Sequence, residues 1–212
     1  FIAFGIITAN GSISRRIASR GCQNYFLPYN NNFTVRTSLL KWILIRYGSM
    51  GVNKEGCQMA LRQIVTVGDE VLRKEAKLVT AFDDRLHTLL DDMKETMCYG
   101  DRGIGLAAPQ VGVLRRVFIV DIHDERGLME FINPEITSMQ GEVISCEGCL
   151  SVPNREGKVR RPEKLVVRAQ NRSGEFFELE AEGILAICVA HENDHLDGIL
   201  YIDKLIEEQE EC

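Results

Sequence analysis

The chain has 212 residues, 45% hydrophobic and 26% charged, enough for one domain with a real core, and no apolar run reaches the roughly 18 residues of a membrane-spanning helix. The net charge of −6 is uneven: residues 1–58 hold seven of the 25 basic residues and one of the 31 acidic ones, leaving 59–212 at −12. An acidic body repels phosphate backbones, so direct nucleic-acid binding is set aside along with a membrane span.

Residues 1–58 begin at Phe1, are rich in Asn, Ser and Arg, and show no sustained periodicity. They are expected to be a disordered leader, either upstream sequence read in frame ahead of Met50 or Met59 or an organelle transit peptide. A secretory signal fits poorly, because its basic residues would precede the apolar stretch at 1–8 and here they follow it. From Met59 the pattern is globular. Leu86, Leu89, Leu90, Met93 and Met97 recur at helical spacing within 82–99, with Asp83 as N-cap. A Gly-rich loop is expected over 100–112. Strands are expected over 116–122, 129–133 (ending at Pro134), 143–150, 164–169 and 175–181, with a turn at Asn171-Arg172-Ser173-Gly174 before the last. Helices are expected over 181–196 and 203–210. This order predicts an α+β fold, antiparallel strands packed around a central helix that carries a metal-binding His-Glu-x-x-His motif.

That motif is His191-Glu192-Asn193-Asp194-His195. Positions i and i+4 lie one turn apart on one helix face, where two imidazoles can hold one metal ion. Glu192, offset by about 100°, can reach a water on that ion. Ile184, Ile187 and Cys188 lead into His191 at i, i+3, i+4 and i+7, so the apolar stripe continues into the His face. The bland alternative is a satisfied core pair of histidines. Against it, two of the four histidines fall here, a Glu occupies the base position, and Asp194 is placed to orient a ligand from behind.

A catalytic ion needs a third protein ligand and an open position. Metzincin proteases extend the motif to a Gly and a third His. Gly198 is present, but Tyr201 stands where that His should be. Thermolysin-like enzymes take a downstream Glu, yet only 17 residues follow His195, and Glu207, Glu208, Glu210 and Glu211 sit in a short tail. The ligand is therefore sought upstream, where Cys146 and Cys149 form a Cys-x-x-Cys. That spacing alone suggests a redox pair or half a zinc ribbon, but no second pair exists and no thioredoxin-like pattern surrounds it. The seven cysteines, odd in number and irregular in spacing, fit a reducing compartment better than a disulfide framework.

Three segments together, Gly103-Ile104-Gly105-Leu106-Ala107-Ala108-Pro109-Gln110, Glu147-Gly148-Cys149-Leu150-Ser151 and His191-Glu192-Asn193-Asp194-His195-Leu196, resemble the signature motifs of peptide deformylase. The resemblance covers about 59–206, with an opening stretch at 64–73 of that family's type, and makes 59–212 the catalytic domain. It implies hydrolysis of the N-formyl group of formyl-methionyl nascent peptides, releasing formate, in N-terminal methionine processing during protein biosynthesis. It also implies roles. Cys149, His191 and His195 bind the metal, and Glu192 is the general base and acid. The side chain of Gln110 and the backbone N–H of Leu150 stabilise the oxyanion. Gly105 pairs its backbone with the peptide, Ile104, Ile184, Ile187 and Cys188 line the methionine pocket, and Cys146 is a bystander. The implied cofactor is one divalent ion, Fe2+ first, with Zn2+, Ni2+ or Co2+ able to serve; one Cys and two His suit all four.

Two regions depart from the family's better-known pattern. Many bacterial members carry a substrate-contacting Arg shortly after the motif Cys; Asn154-Arg155-Glu156-Gly157 occupies that region, and Arg155 is not given that role. Some members dock on the ribosome through a basic C-terminal helix, whereas this chain ends Glu207-Glu208-Gln209-Glu210-Glu211-Cys212, whose charge opposes docking on rRNA. The expected partner is the formyl-peptide substrate alone. The chain is expected to act as a monomer in the bacterial cytoplasm, or in an organelle if 1–58 is a transit peptide. Two other classes stay open: a metallopeptidase cutting internal bonds, and a non-catalytic protein with a structural ion. The second would need Cys146 as fourth ligand, although odd spacing puts it on the opposite strand face from Cys149.

Overall fold

Asp83 sets the start of the first helix. Its carboxylate accepts hydrogen bonds from the backbone N–H groups of Arg85 and Leu86, donors that a helix start leaves open, and helix α1 runs Asp84–Cys98. The face it buries is the expected one, Leu86, Leu89, Leu90, Met93 and Met97. The structure, a computed structural model, describes residues 61–99 and 103–206, with backbone alone at 5–7 and 13–14. The chain divides into two compact units, Phe1–Arg20 with Met59–Cys212, and Gly21–Gln58. The leader expected over 1–58 lies outside the described residues, apart from strands β1 (Gly5–Ile7) and β2 (Ile13–Ser14), as does the acidic tail from 207.

Seven further strands follow: β3 (Gly105–Ala107), β4 (Val117–Val120), β5 (Met129–Gln140), β6 (Val143–Cys149), β7 (Val152–Arg161), β8 (Lys164–Gln170) and β9 (Phe176–Glu182). They form a five-stranded sheet in the order β3-β4-β5-β8-β9 and a four-stranded sheet in the order β2-β1-β6-β7. Every named strand pair is antiparallel, so the α+β class with antiparallel sheets holds. Helix α2 (Ile184–Leu196) packs against β3, β4, β7 and β9. Leu185, Ala186, Cys188 and Val189 join Phe118, Phe131, Val167 and Ala181 in one core cluster. The helix is buried on nearly every side, not along a single stripe, which is the pattern of a helix enclosed by its fold.

Four local expectations are corrected. The Gly-rich loop over 100–112 contains strand β3 and a 3-10 turn, Ala108–Val111. Strand β5 does not end at Pro134. It passes through a bulge at which Asn133 takes φ 51°, and the Asn133 side chain bonds both backbone groups of Val79, at 2.8 and 2.9 Å. Strand β7 was not expected, because its charged run Asn154-Arg155-Glu156 masks the extended pattern; those residues are exposed. The helix expected over 203–210 is absent from 204–206, where a 3-10 turn at Tyr201–Asp203 precedes non-helical chain, and its remainder lies outside the described residues.

The opening stretch positions the two loops that matter below. Val65 N–H donates to the Gln110 carbonyl at 2.8 Å, and Val67 N–H to the Ser151 carbonyl at 2.7 Å. Just past α2, Gly198 takes φ 71°, and a Cβ there would sit 2.7 Å from both the carbonyl carbon and the oxygen of Arg73. Gly198→Ala therefore combines a left-handed backbone with a backbone collision. It is expected to lower stability by about 2 kcal/mol in urea unfolding, and a loss within about 0.5 kcal/mol would show that the turn relaxes freely.

Candidate metal centre

Strand β6 and helix α2 bring three ligand atoms together. Atoms of Cys149, His191 and His195 lie within 4.8 Å of one another, all buried. Cys149 Sγ is 3.3 Å from His195 Nε2, and Cys149 is a free cysteine. His191 Nδ1 lies 2.8 Å from a Glu147 oxygen, which leaves Nε2 with the lone pair. That Nε2 is buried without a hydrogen-bond partner among the described residues. A buried nitrogen beside a buried thiol and a second imidazole is the donor set a divalent cation of borderline softness takes, so the residues fit the ion. Three protein ligands leave a position open for chemistry.

The support behind these ligands differs from expectation. Asp194 does not orient a histidine. It accepts from Arg161 at 2.6 Å and from Lys204 at 2.7 Å. Glu147 takes the orienting role, held from its other side by Arg161 Nε at 2.7 Å and Nη2 at 2.8 Å. Burial alone would raise the Glu147 carboxyl, but hydrogen bonds from Arg161 and His191 overcome it and hold it at about 2. Even spacing before Cys149 was the available signal, since it puts residue 147 on the ligand's strand face. Cys146 is disulfide-bonded. Tyr201, the residue that replaces the metzincin histidine, stacks on His191 with ring centroids 6.1 Å apart and donates its hydroxyl to the Arg155 carbonyl at 2.7 Å.

Glu192 is fully buried, and both carboxylate oxygens lack a partner among the described residues. Burial pushes it up to about 7. A Cβ at position 105 would collide with the Glu192 carboxylate and come 2.8 Å from Cys188 Sγ, so a side chain there displaces the Glu192 carboxylate. Gln110 is 1% exposed; its Oε1 accepts from the Ala107 N–H at 2.8 Å, and its Nε2 points at Ser151 Oγ (3.3 Å) and Cys149 Sγ (3.4 Å). Leu150 sits in the turn between β6 and β7. Among the expected pocket residues, Ile187 and Cys188 are fully buried, Ile104 and Ile184 partly so, and the Cys188 thiol lies 3.7 Å from the Ile104 carbonyl. Burial pushes that thiol well above its usual range, as suits a wall and not a nucleophile.

Three comparisons bear on this arrangement. The family model described as polypeptide deformylase matches residues 61–211. A protein named peptide deformylase from Caldicellulosiruptor bescii is 60% identical over 148 residues, 70% of this chain and 87% of that protein. The crystal structure of a peptide deformylase from Legionella pneumophila superposes with a TM-score of 0.67 at 48% identity, covering 70% of this chain and 88% of that one. A Met-Ala-Ser-bound class I type b peptide deformylase from Acinetobacter baumannii gives a TM-score of 0.65 at 33% identity, covering 69% of this chain and 99% of that one. Agreement of that extent, with the enclosed helix and strands β3 to β9 falling inside the matched span, makes this chain a member of the polypeptide deformylase family of enzymes.

Proposed function

We propose that the unit from Met59 onward hydrolyses the N-formyl group of formyl-methionyl nascent peptides and releases formate, with one divalent ion held by Cys149, His191 and His195 on the central helix and strand β6. The observation that carries this reading is a pair of buried groups, both Glu192 oxygens and His191 Nε2, with no hydrogen-bond partner among the described residues. When bound, the ion supplies Lewis acidity that brings the pKa of water toward about 7. Glu192 accepts the proton of the attacking water and returns it to the amine nitrogen as the C–N bond breaks. The Gln110 amide and the Leu150 N–H donate to the oxygen on which charge develops; donors of this kind are typically worth about 3 kcal/mol each. Gly105 leaves room for the peptide backbone to lie against β3, and Ile104, Ile184, Ile187 and Cys188 enclose the methionine side chain. Iron is the ion of choice in this reading, with zinc, nickel or cobalt able to replace it.

The test is formate release from formyl-Met-Ala-Ser by protein loaded anaerobically with Fe(II), run beside an internally quenched peptide. Release from the first alone is expected; cleavage of the second would identify a peptidase. Glu192→Gln should lower formate release by about a thousandfold and leave the metal bound. Loss of metal together with activity would favour a closed structural site. An iron–thiolate centre is open to oxidation, so activity should decline on aerobic storage of the iron form and persist in the nickel form. A zinc form as fast as the iron form would remove the iron assignment. Finally, Arg161→Ala strands the Glu147 charge in the core. It should cost about 3 kcal/mol or more in urea unfolding and weaken metal retention about tenfold or more.

A further inference from the structure

Ser145 lies on β6 two residues before Glu147 and is fully buried. Its hydroxyl has no hydrogen-bond partner among the described residues. Buried polar groups are nearly always paired, so an orphaned one directs attention to whatever the site binds.

The position of that hydroxyl follows from the ladder. No register shift interrupts the pairing of β6 with β7 between Ser145 and Glu147, so the two side chains share a face. Glu147 meets His191 on that face, and Cys149, past a register shift of the ladder between Gly148 and Cys149, meets His195. Two residues along the strand, about 6.6 Å, thus keep pace with four along the helix, about 6 Å. Carried one step back from Glu147, the same pace brings Ser145 level with the helical turn of Ile187 and Cys188. The function proposed above makes that turn a wall of the methionine pocket.

We propose that Ser145 reads the thioether of the substrate's methionine, donating its hydroxyl hydrogen to the sulfur; this rests on the deformylase reading of the site. Five bonds separate the formyl carbon from the sulfur, about 6 Å when extended, or about one helical turn from the His191 tip toward Ile187. Thioether sulfur is a weak acceptor, and the side chains of Ile104 and Ile187 offer the hydroxyl none. A hydrocarbon side chain of the same length fills the pocket but leaves the hydroxyl unpaired. A site built around a hydrogen bond disfavours the analogue that lacks it. Preference for methionine then has a named chemical source in this chain, separate from pocket shape.

The experiment compares kcat/KM for formyl-Met-Ala-Ser and formyl-norleucyl-Ala-Ser, in which a methylene replaces the sulfur, using the metal-loaded full chain. The ratio of methionine to norleucine is expected to fall about fivefold in Ser145→Ala relative to the parent. Ser145→Cys, nearly isosteric but with a weak S–H donor, should give a ratio between the two, and it carries the test if the alanine protein does not fold. Formate release from both peptides with the same ratio in all three proteins overturns the role of Ser145 and leaves the deformylase reading standing. No formate from either peptide in the parent overturns both.

Discussion

The site depends on one buried carboxylate. Glu147 has no exposure to solvent, yet it is shared between the Arg161 guanidinium and the His191 ring. Taking a carboxylate out of water costs several kcal/mol, and a cation offsets that only when the geometry is good and the remaining lone pairs are filled. Here the fork of Arg161 takes both oxygens, and the imidazole takes one of them again. The consequence reaches the far side of the ring. With Nδ1 committed to Glu147, Nε2 is the acceptor, in the one orientation that points it at Cys149 and His195. Arg161 also grips Asp194, so strands β6 and β7 and helix α2 are fixed to one another by a single guanidinium.

Enclosure of the helix is the second constraint. Because α2 is covered on nearly all sides, Glu192 is held dry, and dryness is what raises its carboxyl toward neutrality. The cover over Glu192 is strand β3, which comes so close that residue 105 has no room for a side chain. The glycine does two things at once in the proposed reaction: it lets the base sit against the sheet edge, and it leaves the backbone of β3 open to an extended peptide. An alanine there would move the base before it touched the substrate.

Much of this was legible in the sequence, and the failures have physical causes. Helix α1 could be read because one face is buried and the other is wet, so the apolar spacing is clean from Leu86 to Met97. Helix α2 could be placed from His191 and His195, but its expected stripe was illusory: a helix buried all round has no polar face to define one. Strand β5 was cut short because a proline ordinarily ends a strand. The side chain of Asn133, tied to Val79 some 54 positions away, creates the bulge that tolerates it, and no local pattern announces that partnership. The three candidate ligands were named from the motifs of the family resemblance, and the structure gathers them. Their support was misassigned for the same reason that β5 was: Asp194 is near the histidines in sequence, whereas Glu147 and Arg161 reach His191 only through pairing of β6 with β7.

In the proposed centre, a cysteine as third ligand shifts the electrostatic demand onto neighbouring groups. A thiolate cancels one unit of a divalent ion's charge, so an ion held here polarises a carbonyl less than the same ion among three neutral imidazoles. The deficit falls on hydrogen-bond donors, and these act well only if they need not reorganise as the reaction proceeds. In the proposed reaction Gln110 is the anchored donor. Its oxygen is anchored on the Ala107 N–H, its carbonyl is held by Val65, and its amide nitrogen is already turned toward Ser151 and the cysteine sulfur. Tyr201 closes the opposite side, with its ring against His191 and its hydroxyl spent on the Arg155 carbonyl, so it offers no competing ligand. In the proposed reaction a thiolate ligand and a pre-aimed amide therefore belong together: the first weakens the ion as a Lewis acid, and the second restores what the developing oxyanion requires.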